Sequence, residues 1–239
     1  MTQQWILEQF ERLKNPAAIA GQRRYGITAT NGYGLTLPLI RGLARDIGRD
    51  HPLAIKIWGT EIHDARLLAP MIADPRLMTS EQMNSWVTGF DSWDVCDQCC
   101  SNLFCKTPCA VEKVFEWSGR NEEFVKRAAF ALIAANSVHQ KKMSDDVFLS
   151  FLPLIERESV DERNFVKKAV NWALRQIGKR NRNLHSEAVD CANRLLELPS
   201  RSARWIARDA LAEFGKEIVQ ARFRRQEEQA FRTVTRTIR

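Results

Sequence analysis

The chain is most informative at first for what it lacks. No apolar run approaches the roughly 20 residues that cross a bilayer, and the opening MTQQWILEQFERLKNP has neither the apolar centre nor the cleavage site of a secretory signal. The expected setting is therefore the cytoplasm, without membrane contact. Alternating Val/Ile/Thr/aromatic runs bounded by turn pairs are almost absent, which argues against a sheet. The four histidines (His51, His63, His139, His185) are scattered. No Ser-His-Asp or Gly-rich nucleotide signature appears, and Asn31-Gly32-Tyr33-Gly34 alone is too weak for a phosphate loop.

What is present reads as helix throughout. Apolar residues recur at helical spacing over Trp5–Leu13, Leu37–Ile47, Pro52–Leu68, Ser80–Trp86, Trp93–Cys105, Val111–Trp117, Glu122–Ala135, Asp145–Ile155, Asn164–Ile177, Ser186–Leu196 and Ser202–Phe214. Pro, Gly, Asn or Asp separates these segments. That rhythm predicts an all-α protein, a right-handed α-solenoid of HEAT-like helical repeats, with a compact bundle as the structural alternative. A solenoid offers a long concave surface, here expected as a basic cleft. The helical domain is expected over 1–215. The stretch 216–239, with seven basic and three acidic residues, reads as a solvated basic tail forming a frayed helix.

Lys and Arg outnumber Asp and Glu by 36 to 29, a net charge of +7, which favours a polyanionic partner. On the segment Phe165–Lys179, the residues Val166, Ala169, Val170, Ala173, Leu174 and Ile177 form the apolar stripe. Lys168, Trp172, Arg175 and Lys179 share a different face. A tryptophan among cations suits nucleic acid, with the cations for phosphates and the indole for a sugar or base. Partial burial against a neighbouring helix is the plainer alternative. Arg127 lies opposite Phe124, Ala128 and Ala131, and so is expected to face solvent or a ligand.

Five of the six cysteines crowd into DSWDVCDQCC and the nine residues after it, ending at Cys109. Four thiolates could hold zinc, but Cys96, Cys99 and Cys100 have helical spacing, and no Gly-rich knuckle or paired histidine accompanies them. Free cysteines are good small core residues in a reducing cell, so packing is expected rather than a metal. Trp93 and Asp97, four apart, then share one face, and the thiols fall on the adjoining, buried side.

Taken together, Arg24-Tyr25 followed nine residues later by Gly34 of Tyr33-Gly34-Leu35, then Ser92-Trp93-Asp94-Val95-Cys96-Asp97, Lys126-Arg127-Ala128-Ala129 and Lys168 to Arg175 resemble the bacterial AlkD-type DNA glycosylases. The resemblance covers nearly the whole chain. It departs at Ser92, where that family often carries an aromatic, and in the thiols, which are outside its motif. The resemblance implies a HEAT-like enzyme that excises cationic N3- or N7-alkylated purines from duplex DNA as a monomer, without cofactor and without flipping the base. By the same resemblance Asp97 and Trp93 are catalytic, and Arg127, Trp172 and Tyr25 line the DNA site. Lys168 and Arg175 extend the phosphate track. The rival expectation is a non-catalytic HEAT-like scaffold binding nucleic acid or protein.

Overall fold

The computed structural model describes residues 1–27 and 31–237, the side chains of Glu227 and of the residues beyond Glu228 excepted; the last two residues of the expected tail lie outside that range. Among the described residues there is no strand. The helices are α1 (Gln3–Leu13), α2 (Pro16–Gln22), α3 (Leu37–Ile47), α4 (His51–Trp58), α5 (His63–Ile72), α6 (Ser80–Thr88), α7 (Trp93–Asn102), α8 (Ala110–Ser118), α9 (Glu123–His139), α10 (Asp145–Glu158), α11 (Asn164–Gly178), α12 (Arg182–Glu197), α13 (Arg201–Phe214) and α14 (Glu217–Thr237).

Their starts follow from local chemistry. Orphan N–H groups at the first turn are met by side-chain oxygens: Thr2 for α1, Asp50 for α4, Asn181 for α12 and Ser200 for α13. At α6, Thr79 and Gln82 exchange side-chain-to-backbone bonds in a capping box. Proline occupies the first turns of α2, α3 and α4, where its missing N–H costs no helical bond.

Three expectations are corrected. The segment Pro52–Leu68 is two helices, because Gly59-Thr60-Glu61 turns the chain, Glu61 at a positive φ of 58°. The segment Trp93–Cys105 ends as an α-helix at Asn102: Leu103 departs from helical angles and a 3-10 turn, Phe104–Lys106, follows. The region after Gly215 is not a solvated extension in its first turns. Val219 and Phe223 are buried, and the Phe223 ring lies 4.8 Å from that of His185 on α12. The helix α2 was not expected.

The chain forms two compact units, Met1–Leu132 and Ile133–Arg239, the division falling within α9. Within the first, α3 packs on α5 and α5 on α7. Within the second, α10 packs on α12 and α11 on α13. Contact between alternate helices, together with contact between successive ones (α4 with α5, α11 with α12, α12 with α13), is how stacked helix pairs bury a continuous core. In the first unit a run of aromatics underlies this. Trp58 stacks on Trp86 with ring centroids 4.1 Å apart, and Phe90, Phe104 and Trp117 continue the cluster. In the second, the apolar stripe of α11 is fully buried from Val166 to Ile177, as its periodicity predicts.

Candidate active site

Everything at the site depends on how α7 is held. Its inward residues Val95, Cys96, Cys99 and Cys100 are inaccessible to solvent, whereas Trp93 and Asp97 are only partly buried. The thiols lie against α9: Cys96 Sγ is 3.8 Å from the Phe124 carbonyl oxygen and Cys100 Sγ donates to that of Ala128 at 3.5 Å. Cysteine is small enough to let the two helices approach closely. The cluster is therefore packing material. Burial pushes the Cys99 and Cys100 thiols well above their ordinary range.

That close approach brings Arg127 of α9 onto Asp97 of α7. Nε donates to Oδ1 at 3.0 Å and a terminal nitrogen donates to Oδ2 at 2.8 Å, a bidentate pair. Arg127 is only 6% exposed. Its expected outward aim is thus corrected: helical periodicity placed it off the apolar stripe, but α7 covers that side. Burial pushes the Asp97 carboxyl above its ordinary range; Arg127 opposes the rise, and nearby Asp94 adds to it. Burial also works against the Arg127 cation, but Asp97 outweighs it and holds the guanidinium charged. The result is a carboxylate fixed in direction and poor in water, with 17% of its side chain open to a ligand. It can stabilise a cation that develops beside it.

Trp93 is oriented independently. Its indole Nε1 donates to the backbone carbonyl of Tyr25 at 2.9 Å. Tyr25 ends a 3-10 turn, Arg23–Tyr25, closed by Gly26 at φ 75°, and its own side chain is 73% exposed. The start of α5 ties the neighbourhood together. Asp64, fully buried, accepts from the backbone N–H of Tyr33 at 2.5 Å and of Leu35 at 2.7 Å. His63 Nε2 lies 2.9 Å from Asp94 Oδ2 on α7. Burial opposes the charged imidazole, yet Asp94, with Asp64 and Asp91, outweighs it and holds His63 above its ordinary range. Between Tyr33 and Leu35, Gly34 takes φ 74°, and a Cβ there would meet the Asn15 carbonyl oxygen at 2.4 Å. His63, Asp64 and Asp94 were not singled out in the sequence, where only the adjacency of Asp94 to Trp93 hinted at them.

Tyr25, Trp93, Asp97 and Arg127 thus belong to the first unit, and Trp93 and Asp97 share a helix face as their spacing predicts. Lys168, Trp172 and Arg175 stand on α11 in the second unit. Lys168 is exposed and Trp172 partly so. Arg175 is engaged by acids of α13: it lies 3.0 Å from Asp209 and also pairs with Glu213, which holds Lys179 as well. The sequence could not show this, because the acids come from a helix some 35 residues away that packs along the same face.

The family model for DNA alkylation repair enzyme matches residues 6–228. The chain belongs to this DNA alkylation repair family. The match runs past residue 215 into α14, in keeping with the buried Phe223. No curated protein matches the chain significantly. Among solved structures, one described as "a new family of proteins related to the HEAT-like repeat DNA glycosylases with affinity for branched DNA structures" has a TM-score of 0.71 and 18% identity, covering 81% of this chain and 83% of that one. At that identity the likeness is one of fold: this DNA alkylation repair family member is an all-α protein of the HEAT-like repeat kind. Among its described residues no helix is long and apolar enough to cross a membrane, and no three His, Cys, Asp or Glu side chains are placed to hold a metal ion.

Proposed function

We propose that the protein is a monofunctional DNA glycosylase that hydrolyses the N-glycosidic bond of N3- and N7-alkylated purines in duplex DNA. The observation that carries this reading is the Asp97 carboxylate, held by Arg127 on the helix face it shares with Trp93. An N-alkylated purine is already cationic. When the bond from the sugar to the base breaks, its electron pair neutralises the base and leaves an oxocarbenium-like sugar. Asp97 stabilises that cation and orients water, whose oxygen bonds to the anomeric carbon as its proton leaves to solvent. A carboxylate committed to a guanidinium has no proton to give, so a substrate that needs its base protonated first would not be served.

Trp93 presents its π face to the cationic sugar, worth roughly 0.5–2 kcal/mol, and Trp172 contacts the DNA. Tyr25 and Lys168 contact the DNA. Arg127 and Arg175 join them only by sharing or leaving their carboxylate partners. Most glycosylases extrude the base; in this reading the lesion stays in the stack, and the protein works as a monomer in the cytoplasm without cofactor. Selectivity then rests on the lesion's charge, and efficient release of a neutral base such as uracil counts against the reading.

A second reading, a DNA-binding protein without catalysis, is favoured by the solved relative described by its affinity for branched DNA and by the fact that Asp97 already has an ionic partner. Release of 7-methylguanine from methylated duplex DNA separates the two. The wild type is expected to release it, and Asp97→Asn to lose on the order of 10²-fold or more in rate while keeping DNA affinity. Equal rates remove Asp97 from the chemistry, and no release by the wild type leaves the binding reading.

A further inference from the structure

The outward face of α13 has a composition that the site above does not use. Arg201, Arg204, Trp205 and Arg208 are all exposed, spaced so that the three arginines surround the indole on one helix face. Trp205 is 40% exposed, while Trp58, Trp86 and Trp117 are each buried to within a few per cent. Lys167 of α11 places Nζ 5.3 Å from the centroid of its ring, which adds a fourth cation. None of the three arginines has an ion pair among the described residues. Asp209, the acid nearest in sequence, is turned to Asn171 at 2.7 Å and Arg175 at 3.0 Å on α11. Trp205 thus keeps two-fifths of its surface in water, among exposed cations.

We propose that this face binds a strand of DNA carrying unpaired bases. The arginines meet successive phosphates and Trp205 stacks on a base. The unpaired state follows from stacking: a base in the interior of a duplex has both faces covered by neighbours, whereas an unpaired base offers a free face to an indole on an open helix surface. The surface is charge-complementary to a phosphate backbone. It does not rest on the glycosylase reading, and Asp97→Asn leaves it unaffected.

The test is fluorescence anisotropy with a labelled oligothymidylate of about 16 nucleotides and a blunt duplex of equal length, each titrated over a range of salt. Trp205→Ala is expected to weaken single-strand binding about tenfold, with little change for the duplex, and Trp205→Phe to retain most of the affinity. The double variant Arg204→Glu/Arg208→Glu should weaken binding and lower the slope of log K against log salt by about 1.4, two lost contacts at about 0.7 each. Circular dichroism and thermal midpoints establish that the variants fold, and the surface charge variant supplies a readout if Trp205→Ala does not. Unchanged single-strand affinity in both Trp205→Ala and the charge variant overturns the proposal. Equal losses on duplex and single strand in Trp205→Ala overturn the claim of an unpaired base.

Discussion

Replacing Arg127 by methionine keeps the aliphatic stem and removes the charge, and so isolates what the guanidinium does for Asp97. Two charge-assisted bonds at 2.8 and 3.0 Å disappear, leaving a carboxylate in a site where burial and Asp94 both disfavour ionisation. Breaking a buried pair from one side costs about 3–5 kcal/mol when the other charge cannot escape. Asp97 has an escape, because it can take up a proton. The stability loss in urea should therefore be near that size at pH 8 and smaller at pH 5, where the acid is neutralised more readily. For the same reason the acid limb of the single-turnover pH–rate profile for 7-methylguanine release should move to higher pH in Arg127→Met. Arg127→Lys should fall between, restoring charge without the planar fork. In a double-mutant cycle with Asp97→Asn, the stability losses should fall short of additivity. If Arg127→Met weakens DNA binding but leaves both the stability and the acid limb where they were, Arg127 is a phosphate clamp and its pairing with Asp97 is incidental.

Gly34→Ala should lose about 1–3 kcal/mol of stability, since the residue takes φ 74° against the Asn15 carbonyl; a urea midpoint within error of wild type would show that the loop at 31–35 yields easily. His63 has its folded value raised above its unfolded one. Its interaction with Asp94 therefore stabilises fully below about pH 6.5 and is lost as pH rises through the folded value. Urea unfolding from pH 5.5 to 9 should show that decline in the wild type, and His63→Gln should remove it; the same slope in both would assign it elsewhere. Of the six thiols, Cys109 alone is partly accessible, while burial pushes Cys105 up to about 11 and Cys191 up to about 12. Ellman's reagent should titrate about one thiol in the native protein and all six after unfolding. Rapid reaction of three or more would contradict the packing role of the cluster.

Helix existence was legible where a segment carries an apolar stripe: α3 spans the Leu37–Ile47 read from periodicity, and α11 buries the stripe expected of it, whereas α2, which buries no residue, was missed. The shared face of Trp93 and Asp97 was legible for the same reason, since four residues is a property of one helix. What periodicity cannot supply is the partner. It placed Arg127 and Arg175 on polar faces, but whether a polar face meets water, DNA or an acid depends on which helix packs there. The break at Gly59–Glu61 escaped notice because apolar spacing resumes beyond it as though the helix continued. In α14, two buried residues at Val219 and Phe223 were outweighed by the charged composition around them.

The hydrogen bond from Trp93 ends on the main chain of residue 25, not on its side chain. Any amino acid at 25 that keeps the turn keeps the acceptor, so the position of the indole is insulated from the identity of its neighbour. Natural variation can therefore exchange the exposed ring at 25 for a smaller or differently shaped group without loosening the tryptophan that shares a helix face with Asp97. In the glycosylase proposed above, substrate range and catalytic alignment would thereby be free to evolve separately at adjoining atoms of one residue.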